Sequence, residues 1–163
     1  MAHSEHVSDV AALEPVGLLN AAKSDVLDEA YAAIHRSHTS HYEAAGEQLT
    51  RERLADLFDL VVRAIADRDL APVADYSEHV AEERFNSGFD ILEVQLAFNA
   101  LEGAMWRRVI TSEPKQDLVE MIGLLSTVLG FGKDALARRY VSLSCKRHVA
   151  SLDLSALFRG TNS

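Results

Sequence analysis

The chain has 163 residues, 48% of them hydrophobic and 25% charged, a balance typical of one globular domain and not of a disordered or fibrous protein. Its 25 acidic side chains outnumber its 16 lysines and arginines, and the resulting net charge of -9 disfavours nucleic acid and anionic lipid as partners. The single cysteine, Cys145, cannot form an internal disulfide, so nothing indicates an oxidising compartment.

The sequence also argues against export and membrane insertion. The first ten residues include His3, Glu5, His6 and Asp9, where a secretory signal would have a basic start and an apolar stretch. Charged residues interrupt every apolar run before it reaches the roughly 18 residues that a membrane span needs. We therefore expect a soluble, cytoplasmic protein with no membrane partner.

The first half of the chain predicts two amphipathic helices. Apolar residues recur at helical spacing over residues 15–36 and again over residues 50–66. The residues between them, 37–46, are mostly polar or small and include Gly46. The second helix begins near Thr50, a suitable N-cap residue, and ends at the charged residues 67–69.

Two further helices should meet at a corner. Pro72 suits the first turn of a helix that ends at Gly88, and Asp90 suits the N-cap of the next one, which runs to about Val109. This fourth helix has the most apolar pattern and should be central. Its predicted buried face consists of Ile91, Val94, Phe98, Leu101 and Met105.

The last long pattern runs from Pro114 to His148. Gly130 and Gly132 stand in its middle, and an unbroken helix of that length would exceed what a compact domain needs, so we expect a kink at these glycines. Residues 152–158 predict a short closing helix.

No segment alternates apolar and polar residues as a strand does. The fold class is therefore all-α. We expect one domain over residues 1–163, a bundle of five to seven helices in an antiparallel or globin-like arrangement, with flexible ends at 1–12 and 159–163.

Histidines supply the only candidate metal ligands. His35, His38 and His41 are spaced three apart, but on one helix the first and third would point in different directions, so a polar helix end is the favoured interpretation. His79 with Glu83 resembles half of a diiron motif, and a solvent-facing contact within the helix is favoured there. We expect no cofactor.

Motifs for enzymatic chemistry are absent from the sequence. It contains no phosphate-binding glycine loop, no nucleophile elbow and no Cys-x-x-Cys pair, so we expect that the protein is not an enzyme. Cys145 lies in a basic neighbourhood that would suit a redox sensor, but the helical spacing favours a small core residue.

Aromatic residues on the two central helices are the candidates for a ligand pocket. Tyr76, Phe85, Phe98 and Trp106 could line a small-molecule cavity, although such residues more often form core. Arg84 lies just before the Gly88 corner and either orients a ligand or holds that corner, with the structural role favoured.

The segment from residue 54 to residue 110 follows a recognisable order of residue types. An acidic helix end precedes a proline, and an arginine, a glycine, a Leu-Glu pair and aromatic residues follow. The positions concerned are Leu54, Leu57, Asp67, Asp69, Pro72, Ala81, Arg84, Gly88, Ile91, Leu92, Glu93, Val94, Phe98, Leu101 and Trp106. This order resembles the N-terminal sensor domain of RsbRD-type co-antagonists, which act in bacterial stressosome and sigma-factor regulation.

The resemblance implies a helical sensor, possibly of a non-haem globin-like kind, that modulates a protein partner and often dimerises. In that family the sensor precedes a STAS domain, which these 163 residues do not contain. We therefore expect a stand-alone, non-catalytic regulatory sensor or interaction module that forms a homodimer and binds a protein partner or a small apolar ligand. The alternative is a metal- or haem-binding oxygen or redox protein built on a helical bundle.

Overall fold

The computed structural model describes residues 16–37, 40–112 and 118–151, and all the regular structure within these ranges is helical. The helices are α1 (Lys23–Arg36), α2 (Ser40–Ala45), α3 (Glu47–Asp67), α4 (Ala71–Asn86), α5 (Ile91–Thr111) and α6 (Leu118–Ser151). A further helical stretch, residues 16–21, leads into α1. The prediction of an all-α bundle is confirmed, whereas the globin-like arrangement stays a prediction. The predicted closing helix and the two chain ends lie outside the described residues.

The corner between α4 and α5 forms as its sequence predicts. Gly88 has a φ of 82°, a left-handed conformation that glycine adopts without a Cβ penalty. Asp90 then caps α5, because its Oδ1 accepts a hydrogen bond from the Leu92 amide at 2.8 Å. The Glu93 carboxylate in turn accepts from the Asp90 amide at 2.9 Å, which completes a capping box.

The longest helix, α6, continues without a break through Gly130 and Gly132 for 34 residues. The predicted kink at these glycines stays a prediction, because a helix can bend without a break. The length of α6 is about 51 Å at ~1.5 Å per residue. Gly132 has a packing role, because a Cβ at this position would lie 3.0 Å from a ring carbon of Phe98 and 3.1 Å from the Ser77 hydroxyl. The glycine therefore lets α6 approach α4 and α5 closely.

The core lies mainly along two helix pairs. α4 packs along α6 and α1 packs along α5, with α5 and α6 also in extensive contact. Four of the five predicted core residues of α5 are buried, namely Val94, Phe98, Leu101 and Met105. Ile91 is only half-buried, because it lies in the first turn of the helix. None of the helices in the described ranges is long and apolar enough to cross a membrane.

Cys145 is exposed, so its interpretation as a core residue is wrong. Tyr140 is the last buried residue among the described side chains of α6. The helical spacing continues beyond Tyr140, but none of the described side chains that follow on α6 is buried. Periodicity predicts which side chains share a face, and only the packing decides whether that face is covered.

Candidate ligand-binding pocket

A pocket of about 220 Å³ lies between α3, α4 and α5, and we call it the Arg84 pocket. It exists because these three helices have few mutual contacts, while α4 and α5 pack closely against α6 and α1. Its lining consists of Tyr42, Thr50, Arg53, Leu54, Asp56, Leu57, Tyr76, His79, Val80, Glu83, Arg84, Val94, Ala97 and Phe98.

Helical spacing explains why these side chains converge. On α4, Tyr76, Val80 and Glu83 are separated by four and three residues and so share one face. The α3 residues follow the i, i+3, i+4, i+7 pattern of one helix face, namely Thr50, Arg53, Leu54 and Leu57. The α5 residues follow the i, i+3, i+4 part of that pattern, namely Val94, Ala97 and Phe98. Three such faces, turned toward one another, form the pocket.

Arg84 is the unusual member of the lining. Only 8% of its surface is exposed, and its guanidinium lies 4.5 Å from the centre of the Phe89 ring, a cation–π contact. Its backbone carbonyl also accepts a hydrogen bond from the Phe89 amide at 3.0 Å. Arg84 therefore contacts Phe89, which follows the Gly88 corner, and it also lines the pocket.

The guanidinium of Arg84 makes no hydrogen bond or ion pair with any residue that the structure describes. The side chain is 8% exposed, and none of its nitrogens is among the described buried side-chain atoms that lack a partner, so the guanidinium keeps some contact with solvent. The Phe89 ring contributes a cation–π contact worth about 0.5–2 kcal/mol. The arrangement leaves a cationic donor available to a ligand.

The other charged residues of the lining are either paired or exposed. Arg53 donates a hydrogen bond of 2.5 Å to the Glu83 carboxylate, which links α3 to α4. Asp56 is exposed, and so is His79. Arg84 is therefore the only buried charge in the lining of this pocket.

Two tyrosine hydroxyls add neutral donors. Burial raises the pKa of Tyr76 to about 12, with a further contribution from nearby Asp56. Burial also raises the pKa of Tyr42, as does Glu93. The Tyr42 hydroxyl donates to the Glu93 carbonyl at 3.0 Å, whereas the Tyr76 hydroxyl has no hydrogen-bond partner in the described part of the chain. Tyr76 is thus protonated at neutral pH and able to donate to a bound molecule.

The structure brings three of the five predicted pocket residues together, namely Tyr76, Arg84 and Phe98. Phe85 does not line this pocket, because it follows Arg84 by one residue and so points about 100° away around the helix. It packs edge-to-face on Tyr140 of α6, with ring centres 5.7 Å apart. Phe85 therefore packs against α6 and does not share a wall of the Arg84 pocket with Tyr76 and Phe98.

Trp106 also lies outside the Arg84 pocket. It is eight residues beyond Phe98, about 12 Å along α5 at ~1.5 Å per residue. Its side chain is half-buried, and its buried indole N–H has no hydrogen-bond partner among the described residues. The predicted pocket beside Trp106 is therefore not the one that Arg84 lines.

The histidine candidates do not form a cluster in the described residues. His79 is exposed at the edge of the pocket. The Glu83 carboxylate accepts a hydrogen bond from Arg53, whereas the sequence predicts a contact of Glu83 with His79. His35 stacks on Tyr31 with ring centres 6.0 Å apart and lines a second pocket of about 210 Å³ between α1, α2 and α3. His38 and the side chain of His41 lie outside the described residues. Among the described residues, no three His, Cys, Asp or Glu side chains lie close enough together to hold a metal ion.

Several lining residues were missed as site residues in the sequence. Arg53, Leu54 and Leu57 lie on α3, which begins at Glu47, three residues before the predicted start near Thr50. Tyr42 lies in α2, a six-residue helix that the periodicity did not predict. The helical spacing from Thr50 to Leu57 predicts that these residues share one face of α3. The sequence of one helix does not identify the helices that form the opposite wall of the pocket.

Comparisons with protein-family models, with curated proteins and with solved structures found no match for this chain. The resemblance to the RsbRD-type sensor domain stays a prediction.

Proposed function

We propose that the protein is a cytoplasmic, non-catalytic regulatory module that senses a small molecule bound in the Arg84 pocket and passes this signal to a protein partner. The observation that supports the proposal most strongly is Arg84, which lines the pocket, is 8% exposed and has no anionic partner among the described residues.

The chemistry of the lining supports binding over catalysis. The only hydroxyl of a serine or threonine in the lining belongs to Thr50, and it donates to the Gly46 carbonyl at 3.0 Å. The Glu83 carboxylate is occupied by Arg53, so it is poorly placed to act as a base. No nucleophile beside a base can be assembled from these residues.

The sequence supports the location and the regulatory role. The single cysteine and the absence of an apolar run of membrane length agree with a cytoplasmic protein. The order of residues from Leu54 to Trp106 resembles a sensor that modulates a partner. The helix that supplies Arg84, α4, packs along α6, so a ligand in the pocket would act directly on the packing of the longest helix.

The experiment that tests this proposal compares the wild-type protein with Ala97→Phe, which fills the pocket with a ring. Both proteins are purified from the native host, extracted with solvent and analysed by mass spectrometry for retained small molecules. We expect one compound in stoichiometric amount from the wild type and none from Ala97→Phe. Val141→Phe, on an exposed position of α6, is the matched control and should retain the compound.

Partner capture completes the test. Wild-type protein and Ala97→Phe are crosslinked in native cells, and the captured proteins are compared. A partner that depends on the occupied pocket should differ between the two. Equal small-molecule content and equal partners in wild type and Ala97→Phe would refute the proposed function.

A further inference from the structure

We propose that the ligand of the Arg84 pocket is a small monocarboxylate with an apolar body, whose carboxylate binds the guanidinium of Arg84. This inference rests on the proposed function and adds the chemical class of the ligand. It follows from one buried cation, one available hydroxyl and an apolar wall that face the same cavity.

The charge of the pocket selects a monoanion. Arg84 contributes one buried positive charge without an ionic partner, while Arg53 is already paired with Glu83 at 2.5 Å. A ligand with two negative charges would leave one of them without a counter-charge, and it would also face the carboxylates of Glu83 and Asp56. The lining carries two arginines and two carboxylates, so a single carboxylate adds one negative charge to the pocket and a dianion adds two, and the smaller excess favours the monoanion.

The geometry of the guanidinium suits a carboxylate. Its planar set of N–H donors matches two carboxylate oxygens, and such charge-assisted hydrogen bonds are stronger than neutral ones. The Tyr76 hydroxyl lines the same pocket and has no hydrogen-bond partner in the described ranges, so it offers a further donor. Tyr76 and Arg84 are eight residues apart on α4, about 12 Å along the helix at ~1.5 Å per residue, so Arg84 binds the carboxylate and Tyr76 offers its hydroxyl to another part of the ligand.

The rest of the ligand should be apolar and small. Much of the remaining wall is aliphatic or aromatic and consists of Leu54, Leu57, Val80, Val94, Ala97 and Phe98. The volume of about 220 Å³ equals that of roughly seven water molecules at ~30 Å³ each. It therefore suits a body such as a phenyl ring or a short alkyl chain, and it lies below the ~300–1,000 Å³ that pockets for larger ligands occupy.

The test uses defined probes and the full chain. Binding of benzoate and hexanoate is measured by isothermal titration calorimetry at neutral pH, beside benzamide and hexanamide, which have nearly the same shape and no charge. Phenyl phosphate serves as the dianionic probe. We expect each acid to bind about tenfold more tightly than its amide, because the charge-assisted hydrogen bonds are lost in the amide. Phenyl phosphate should bind more weakly than benzoate.

Two variants locate the binding energy. Arg84→Met keeps an unbranched apolar side chain and removes the charge, and it should weaken benzoate by about 30-fold or more while leaving benzamide unchanged. Arg108→Gln is the matched control, because Arg108 pairs with Asp25 at 2.7 Å and does not line the pocket. It should bind benzoate as the wild type does. Circular dichroism checks that each variant is folded, and the acid–amide comparison on the wild type decides the question even where Arg84→Met fails to fold.

The outcomes separate this inference from the proposed function. If the amides bind in the pocket as tightly as the acids, or if phenyl phosphate binds more tightly than benzoate, the monocarboxylate inference is overturned and the sensing function stands. If a folded Arg84→Met binds benzoate as the wild type does, the assigned role of Arg84 is overturned. If neither acids nor amides bind and no compound is retained from the native host, both proposals fail.

Discussion

Replacing Gly132 by alanine should destabilise the protein, although alanine is the better helix former. A Cβ at Gly132 would lie 3.0 Å from Phe98 Cε1, 3.1 Å from Ser77 Oγ and 3.2 Å from Val73 Cγ1. All three neighbours are buried, so none can move aside without disturbing the core. Overpacking of this kind costs about 1–3 kcal/mol, and we expect the upper part of that range. The helix propensity of alanine returns about 1 kcal/mol, which leaves a net loss of about 1–2 kcal/mol.

Gly130→Ala is the matched control on the same helix. A Cβ there would meet no atom within 4 Å, so this variant should gain about 1 kcal/mol from helix propensity alone. Urea denaturation followed by circular dichroism measures both changes. The two variants should differ by about 2–3 kcal/mol, which corresponds to about 4–12 °C in Tm for a chain of this size. A Gly132→Ala protein as stable as Gly130→Ala would refute the close approach of α6 to α4 and α5.

Four further predictions concern stability, titration, assembly and cofactors. Asp90→Ala should lower the free energy of unfolding by about 1 kcal/mol in urea denaturation, because the cap of α5 is lost; an unchanged midpoint would contradict the capping box. Burial raises the pKa of three tyrosines, Tyr42, Tyr76 and Tyr140, so the folded protein favours their neutral hydroxyls. Their contribution to the free energy of folding is complete below pH 10 and is lost as the pH rises through the pKa values of the folded protein, about 12 for Tyr76. An ultraviolet titration should show their ionisation together with unfolding, and separate transitions would oppose this linkage. Light scattering should give a homodimer, as the sensor resemblance implies, because large apolar side chains are exposed on both α5 and α6, namely Leu92, Ile110, Val119 and Val141. A monomer at high micromolar concentration would refute it. A visible spectrum with metal analysis of the purified protein should show neither chromophore nor stoichiometric metal, and either one would support the oxygen or redox alternative.

Local signals in the sequence were sufficient for most of the helices. Proline at position 72, glycine at 88 and aspartate at 90 predict the corner between α4 and α5, and the structure has that corner. Such signals succeed because helix starts and ends depend on hydrogen bonds within a few residues. They do not distinguish Gly132, where α6 touches α4 and α5, from Gly130, where a Cβ would meet no atom within 4 Å, because such a contact depends on residues far along the chain.

The candidate site was only partly predictable, because side chains from several helices form a pocket together. The sequence identified Tyr76, Arg84 and Phe98 because each stands out on its own helix by size or charge. It could not show that Phe85 faces α6, nor that Arg53 of α3 bonds to Glu83 of α4, 30 residues away.

The sequence by itself determined the fold class, most helix boundaries and the residues that share a face, because these follow from composition, capping and the 3.6-residue period of the helix. Only the tertiary structure decided which faces are covered. The packing of α4 on α6 and of α1 on α5 buries Arg84 without an ionic partner among the described residues and leaves the Arg84 pocket beside α3. Burial and partnership are properties of several helices at once, and the pattern of one helix does not contain them.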